Sequence, residues 1–155
     1  MPTGLARRLA RFHLVDFVRG ETPMWRPEDV RRAELRTTAR EIAPDGSVQL
    51  ELSGSFHCAI EGTGAVRPFG PWLEGQRRGY DAQLAGRATW DPAARRFSAF
   101  EALALGTRWG GSEHNPRWDD PEEAPMAILF ERADGRGPGG DATPPQGLRA
   151  QYWDA

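Results

Sequence analysis

The chain has 155 residues, enough for one domain with a core of its own and no need of disulfides or a structural metal. Its 20 basic residues, all arginine, against 22 acidic ones leave a net charge of −2, which supplies no bulk attraction to nucleic acid or an anionic membrane. The lack of lysine removes Schiff-base and phosphate-loop lysine chemistry, and the single Cys58 removes an internal disulfide.

At the N-terminus, Leu5, Leu9 and Phe12 form a helical stripe followed by Leu14, Val15, Phe17 and Val18. The spacing predicts a helix over 4–18, ended by Gly20. Asp16 and Arg19 interrupt the apolar run and no small-residue cleavage site follows, so a signal peptide is not read. No stretch approaches a membrane span, and the compartment is cytoplasmic by default. Glu21 to Pro27 is a proline-bracketed connector, and Glu28 to Arg32 is expected to add a helical turn.

The clearest strand is 48–60, where Val48, Leu50, Leu52, Phe56, Cys58 and Ile60 alternate with polar neighbours. Gly54 interrupts the apolar face and suggests a bulge or bend. A matching alternation over 33–42, joined through Asp45-Gly46, makes the first hairpin. The second pairs 79–90 with 96–109 around Asp91-Pro92. Tyr80, Ala82, Leu84, Ala88 and Trp90 share one face of its first strand. In the second, FSAFEALALG admits a helical reading, but Phe97, Leu103, Leu105 and Trp109 alternate, with a bulge expected near Glu101. A short strand, Met126 to Phe130, is apolar on both faces and expected to be central or covered.

The predicted fold is therefore mainly β: about five strands in two hairpins plus one, forming a strongly bent antiparallel sheet or an open barrel, with an N-terminal helix. Residues 1–32 are the helix and connector, 33–133 the β domain, and 134–155 a Gly/Pro-rich tail. The N-terminal segment is expected to pack across one face of the sheet or to plug one end.

The chemistry-bearing residues are sparse. His13, His57 and His114 lack the short spacing of a zinc site, and the acidic residues after Glu113-His114 lack calcium-loop spacing, so no metal or other cofactor is expected. They read instead as a solvated acidic loop. His57 lies on the polar face of its strand, and Cys58, on the opposite face, reads as an inert core thiol. Arg78-Gly79-Tyr80-Asp81 admits two readings. It is either a structural corner, with the tyrosine hydroxyl tied to backbone and Asp81 paired to an arginine, or a site orienting a carboxylate or sugar. Trp25, Trp72, Trp109 and Trp118 near loops and strand ends could line a binding mouth. The candidate ligand-binding set is Arg78, Tyr80, Asp81, Trp109 and Trp72.

Four segments carry a resemblance: ARFHLVDFVRGETPMWRPEDVRRAEL (10–35), RGYDAQLAGRATWD (78–91), RFSAFEALALGTRWGG (96–111) and PMAILFE (125–131). Together, over roughly residues 8 to 131, they resemble an uncharacterised bacterial family typical of planctomycetes. There the segment often follows a thioredoxin-like domain in longer exported or envelope proteins. The resemblance implies a β-rich module that works beside a redox-type domain, and it supplies no established functional residues. This chain begins almost at the segment itself and has no C-x-x-C, so redox activity does not carry over.

Two function classes follow. The first is a non-catalytic binding or accessory module for a protein partner or small ligand, possible alongside a thioredoxin-like domain. The second is a small enzyme using Asp81, Glu101 and a histidine, His57 or His114, as acid/base groups at a barrel end. Strand parity weighs against the second, because Asp81 and Glu101 are assigned to different environments. A nucleic-acid groove would need Arg87, Arg95, Arg96 and Arg108 aligned with exposed aromatics.

Overall fold

The computed structural model describes residues 3–62, 77–112, 114–117, 119–132 and 152. Helix α1 (Thr3–His13) leads through a connector and a single 3-10 turn (Pro27–Asp29) into five strands. These are β1 (Val30–Ile42), β2 (Val48–Ile60), β3 (Arg78–Asp91), β4 (Arg96–Gly110) and β5 (Ala124–Glu131). They form one antiparallel sheet in the order β1-β2-β3-β4-β5. The sheet is an open meander: β2 pairs with β3 along its whole length, and β1 and β5 are its edges.

The helix stops earlier than its apolar pattern suggests. The Arg11 carbonyl accepts the N–H of Trp25 at 3.1 Å, so the returning connector takes the bond the helix would need to continue. Leu14 and Val15 still reach the core, but from an irregular segment. After Pro27 the turn is brief, and the chain is extended from Val30 rather than helical to Arg32.

One face of the sheet is the core. Leu52, Phe56, Cys58, Tyr80, Ala82, Leu84 and Ala88 are buried there, and Ala6, Ala10, Leu14, Val15 and Trp25 cover them. The N-terminal segment thus packs across one face, with α1 closest to β1 and β2. Gly54 makes no bulge: pairing with Leu35 and Leu84 runs through it in register, and the Phe56 ring fills the space above it.

Strand β4 corrects the expected parity. Ala102 and Ala104 are buried at 1% and 0%, whereas Leu103 and Leu105 are 43% and 56% exposed. The cause is a bulge at the start of the pairing, where Thr89 faces Ala99 but Trp90 faces Phe97. The extra residue lets Phe97 and Phe100 both pack on the core and reverses every position after them. No bulge lies at Glu101, which pairs regularly with Arg87. Strand β5 is likewise an edge rather than a central strand, with Leu129 58% exposed.

Candidate functional site

The alternation of β3 splits the RGYD sequence between two faces. Arg78 and Tyr80 point to the core side, while Gly79 and Asp81 belong to the outer face. Gly79 pairs with Trp109, and a Cβ at Gly79 would collide with the six-membered ring of that indole. The aromatic ring takes the space that the missing side chain leaves.

On the outer face, register brings Arg32, His57, Asp81 and Thr107 into one row across four strands. His57 Nδ1 lies 2.6 Å from Asp81 Oδ2, and Arg32 Nη2 lies 3.2 and 3.3 Å from the two Asp81 oxygens. An ionised carboxylate only accepts, so Nδ1 carries the hydrogen and Nε2 is the ring's remaining polar atom. The imidazole is 5.9 Å from the Trp109 ring. Both partners of Asp81 are partly exposed, so these contacts contribute orientation more than stability.

On the core side, the Tyr80 hydroxyl donates to the Met126 carbonyl at 3.0 Å and lies 3.3 Å from that of Ala104. Burial pushes its pKa up to about 12. Arg78 stacks on Trp25, its Cζ 4.4 Å from the ring centroid, and donates to the Pro23 carbonyl at 2.8 Å. Arg78, Tyr80 and Trp109 line one cleft together with Trp25, Thr22 and Asn115. The cleft leaves about 20 Å³ for the centre of a water-sized molecule, room for one small group and not for a ligand body.

A charged network closes this end of the sheet. Arg117 holds Asp16 at 2.6 and 3.0 Å and Asp120 at 3.0 Å, and Arg108 meets the same Asp120 carboxylate at 2.5 Å. Burial works to raise the Asp16 carboxyl, but the Arg117 and Val18 bonds outweigh it and hold it below the usual carboxylate range. Asn115 donates to the Asp16 carbonyl and the Thr22 hydroxyl. The expected solvated acidic loop is therefore partly consumed, because Asp119 and Asp120 are both tied to arginines.

Of the sequence-selected residues, Arg78, Tyr80 and Trp109 share the cleft, and Asp81 lies outside it with His57. Trp72 lies outside the described residues. Glu101 pairs with Arg87 at 3.0 Å and sits six positions along β4 from Thr107, the partner of Asp81, about 20 Å away. His114 is exposed in the loop after β4. Arg108 is buried on Asp120 while Arg87 is exposed beside Glu101, so the four arginines do not form one groove. Arg32 was missed, since nothing local marks it; only cross-strand register joins it to Asp81.

Cys58 is buried, and burial pushes its thiol up to about 12. Among the described residues, no group of three His, Cys, Asp or Glu side chains is placed to hold a metal ion, and no helix is long and apolar enough to cross a membrane. No family model matches this chain, and neither the curated proteins nor the solved structures contain a match.

Proposed function

We propose that this chain is a non-catalytic binding module whose small polar ligand seats at the β3–β4 end of the sheet, against Trp109. The observation that carries this reading is the position of Trp109 over Gly79. There one aromatic ring lines the Arg78 cleft and also neighbours the His57–Asp81–Arg32 row. Aromatic surface beside a few fixed polar groups is the common composition of a small-molecule seat. The resemblance to modules that follow thioredoxin-like domains gives it a setting, as an accessory to such a neighbour. Ligand-observed NMR with a mixed library of small carboxylic acids, sugars and amides tests the reading. Binders should lose affinity in Trp109→Ala, and binders indifferent to that change would remove Trp109 from the seat.

A second reading, a small acid/base enzyme, is favoured by the 2.6 Å contact of His57 with Asp81. Asp81 would orient the imidazole so that Nε2 acts as the base, without Glu101. Turnover of activated esters that vanishes in His57→Gln supports it, and equal rates for both proteins argue against it.

A further inference from the structure

The sheet has two open edges, and they are guarded very differently. β1 carries Arg31, Arg32, Glu34, Arg36, Arg40 and Glu41, and its pairing with β2 breaks register between Val30 and Arg32 and again between Ala39 and Glu41. Charges and irregularities of this kind keep an edge from recruiting another strand. β5 has neither protection. Its pairing with β4 is regular throughout, and its last residue, Glu131, is its only charge. Among the described residues, no strand pairs with its far side.

Register fixes which main-chain groups of β5 are open. The Arg132 N–H donates to the Phe100 carbonyl at 3.0 Å, continuing the pairing of Glu131 with Glu101. An antiparallel strand turns successive residues to opposite sides, so the even-numbered residues of β5 bond to β4. The N–H and C=O groups of Ala127, Leu129 and Glu131 therefore point away from the sheet. Pro125 shares that parity, so the N–H it lacks is one that the bonds to β4 never use.

We propose that β5 pairs antiparallel with β5 of a second copy, about a two-fold axis at Ile128, joining the two sheets edge to edge. Ala127 then meets Leu129 of the second copy, each donating to the other's carbonyl, and the axis repeats both bonds. Glu131 donates to the Pro125 carbonyl of the second copy, which puts the proline at the rim of the contact. On the outer face Leu103 pairs with Leu129 and Leu105 with Ala127. The joined sheet thus runs Leu103 and Leu129 into Ala127 and Leu105 of the second copy as one apolar row. On the other face Ile128 meets its own copy at the axis, covering an edge that packs on the core only in part.

The charges agree with this register. The Arg132 guanidinium reaches the Ser98 carbonyl at 3.4 Å and meets no carboxylate among the described residues. The axis sets it opposite Ala124 of the second copy, next to Glu122 and Glu123 there. An unrelated extended peptide would satisfy the open ladder alone. A second copy satisfies the ladder, the apolar row and the charges together, and it needs no ligand at Trp109.

Sedimentation velocity over a wide dilution series gives the mass of the chain, and hydrogen exchange at both ends of the series locates the contact. A dimer that dissociates on dilution is expected, with the Ala127 and Leu129 amides protected only in the dimer. Ala127→Pro removes an outward N–H and leaves the bonds to β4 in place. It should be monomeric at concentrations where the unaltered chain is a dimer. Because that variant could lose its fold, exchange in the unaltered protein stands as the independent readout. A monomer at every concentration overturns the proposal. So does a dimer whose Ala127 and Leu129 amides exchange as in the monomer, which would place the interface elsewhere. Protection that ignores concentration overturns it as well, because the chain itself then covers the edge.

Discussion

Trp109 and Gly79 are paired across β4 and β3, and the indole occupies the space that any side chain at 79 would need. Gly79→Ala is therefore an overpacking change, expected to cost roughly 1–3 kcal/mol as the ring is displaced. Urea unfolding measures the loss, and the His57 ring resonances should move with it because that ring neighbours Trp109. A substitution that leaves both unchanged would place the indole elsewhere.

The Asp16–Arg117 pair ties the connector after α1 to the loop before β5. Since the folded-state pKa of Asp16 is lowered, its contribution is fully present above the unfolded carboxyl value of about 3.9 and disappears as pH falls through the folded value. Asp16→Asn removes one of the two carboxylates that Arg117 holds, with Asp120 remaining, and should cost roughly 1–3 kcal/mol at pH 7. The gap between the two proteins should close as pH falls well below 4, the ordinary carboxyl range. A gap that stays constant with pH would show that Asp16 acts through packing alone.

Cys58 is the only thiol, buried on the core side of β2 with its pKa raised to about 12 by burial, with Asp29 and Asp81 adding to the rise and Arg78 opposing it. A thiol reagent at pH 8 should react negligibly with the native protein and fully in denaturant. Rapid native-state reaction would mean that the sheet opens at β2 far below its global stability.

The strands and the first hairpin were legible because period-two alternation and the Asp45-Gly46 turn are local signals. Gly46 indeed takes a positive φ of 82° there. The face of β4 was not legible: Phe97 and Phe100 both pack on the core across a one-residue bulge, and parity carried forward from Phe97 is then wrong for Leu103 and Leu105. The buried positions are alanines, whose small side chains carry little pattern, and they match Gly86, where a Cβ would run into Ala102. The candidate site divides in the same way. The contiguous RGYD was visible in the chain, and its tyrosine and aspartate have the partners that a structural corner requires. The meeting of His57 with Asp81 depends on how β2 and β3 align after an intervening segment of 61–77, which no residue pattern specifies.

That reversed parity makes a direct mutational contrast. Leu52 and Leu84 are 1% and 4% exposed on the core side, and Leu52→Ala or Leu84→Ala should each cost roughly 2–5 kcal/mol through lost burial and the cavity left behind. Leu103→Ala and Leu105→Ala remove the same atoms from exposed positions on the outer face and should change stability by no more than about 0.5 kcal/mol. The converse substitution, Ala104→Leu, forces a larger side chain into a site with 0% exposure and should destabilise by roughly 1–3 kcal/mol, despite adding apolar surface. Equilibrium denaturation of the five variants decides the matter. Large losses at Leu103 and Leu105 together with tolerance at Ala104 would restore the parity read from Phe97 and place the bulge beyond Leu105.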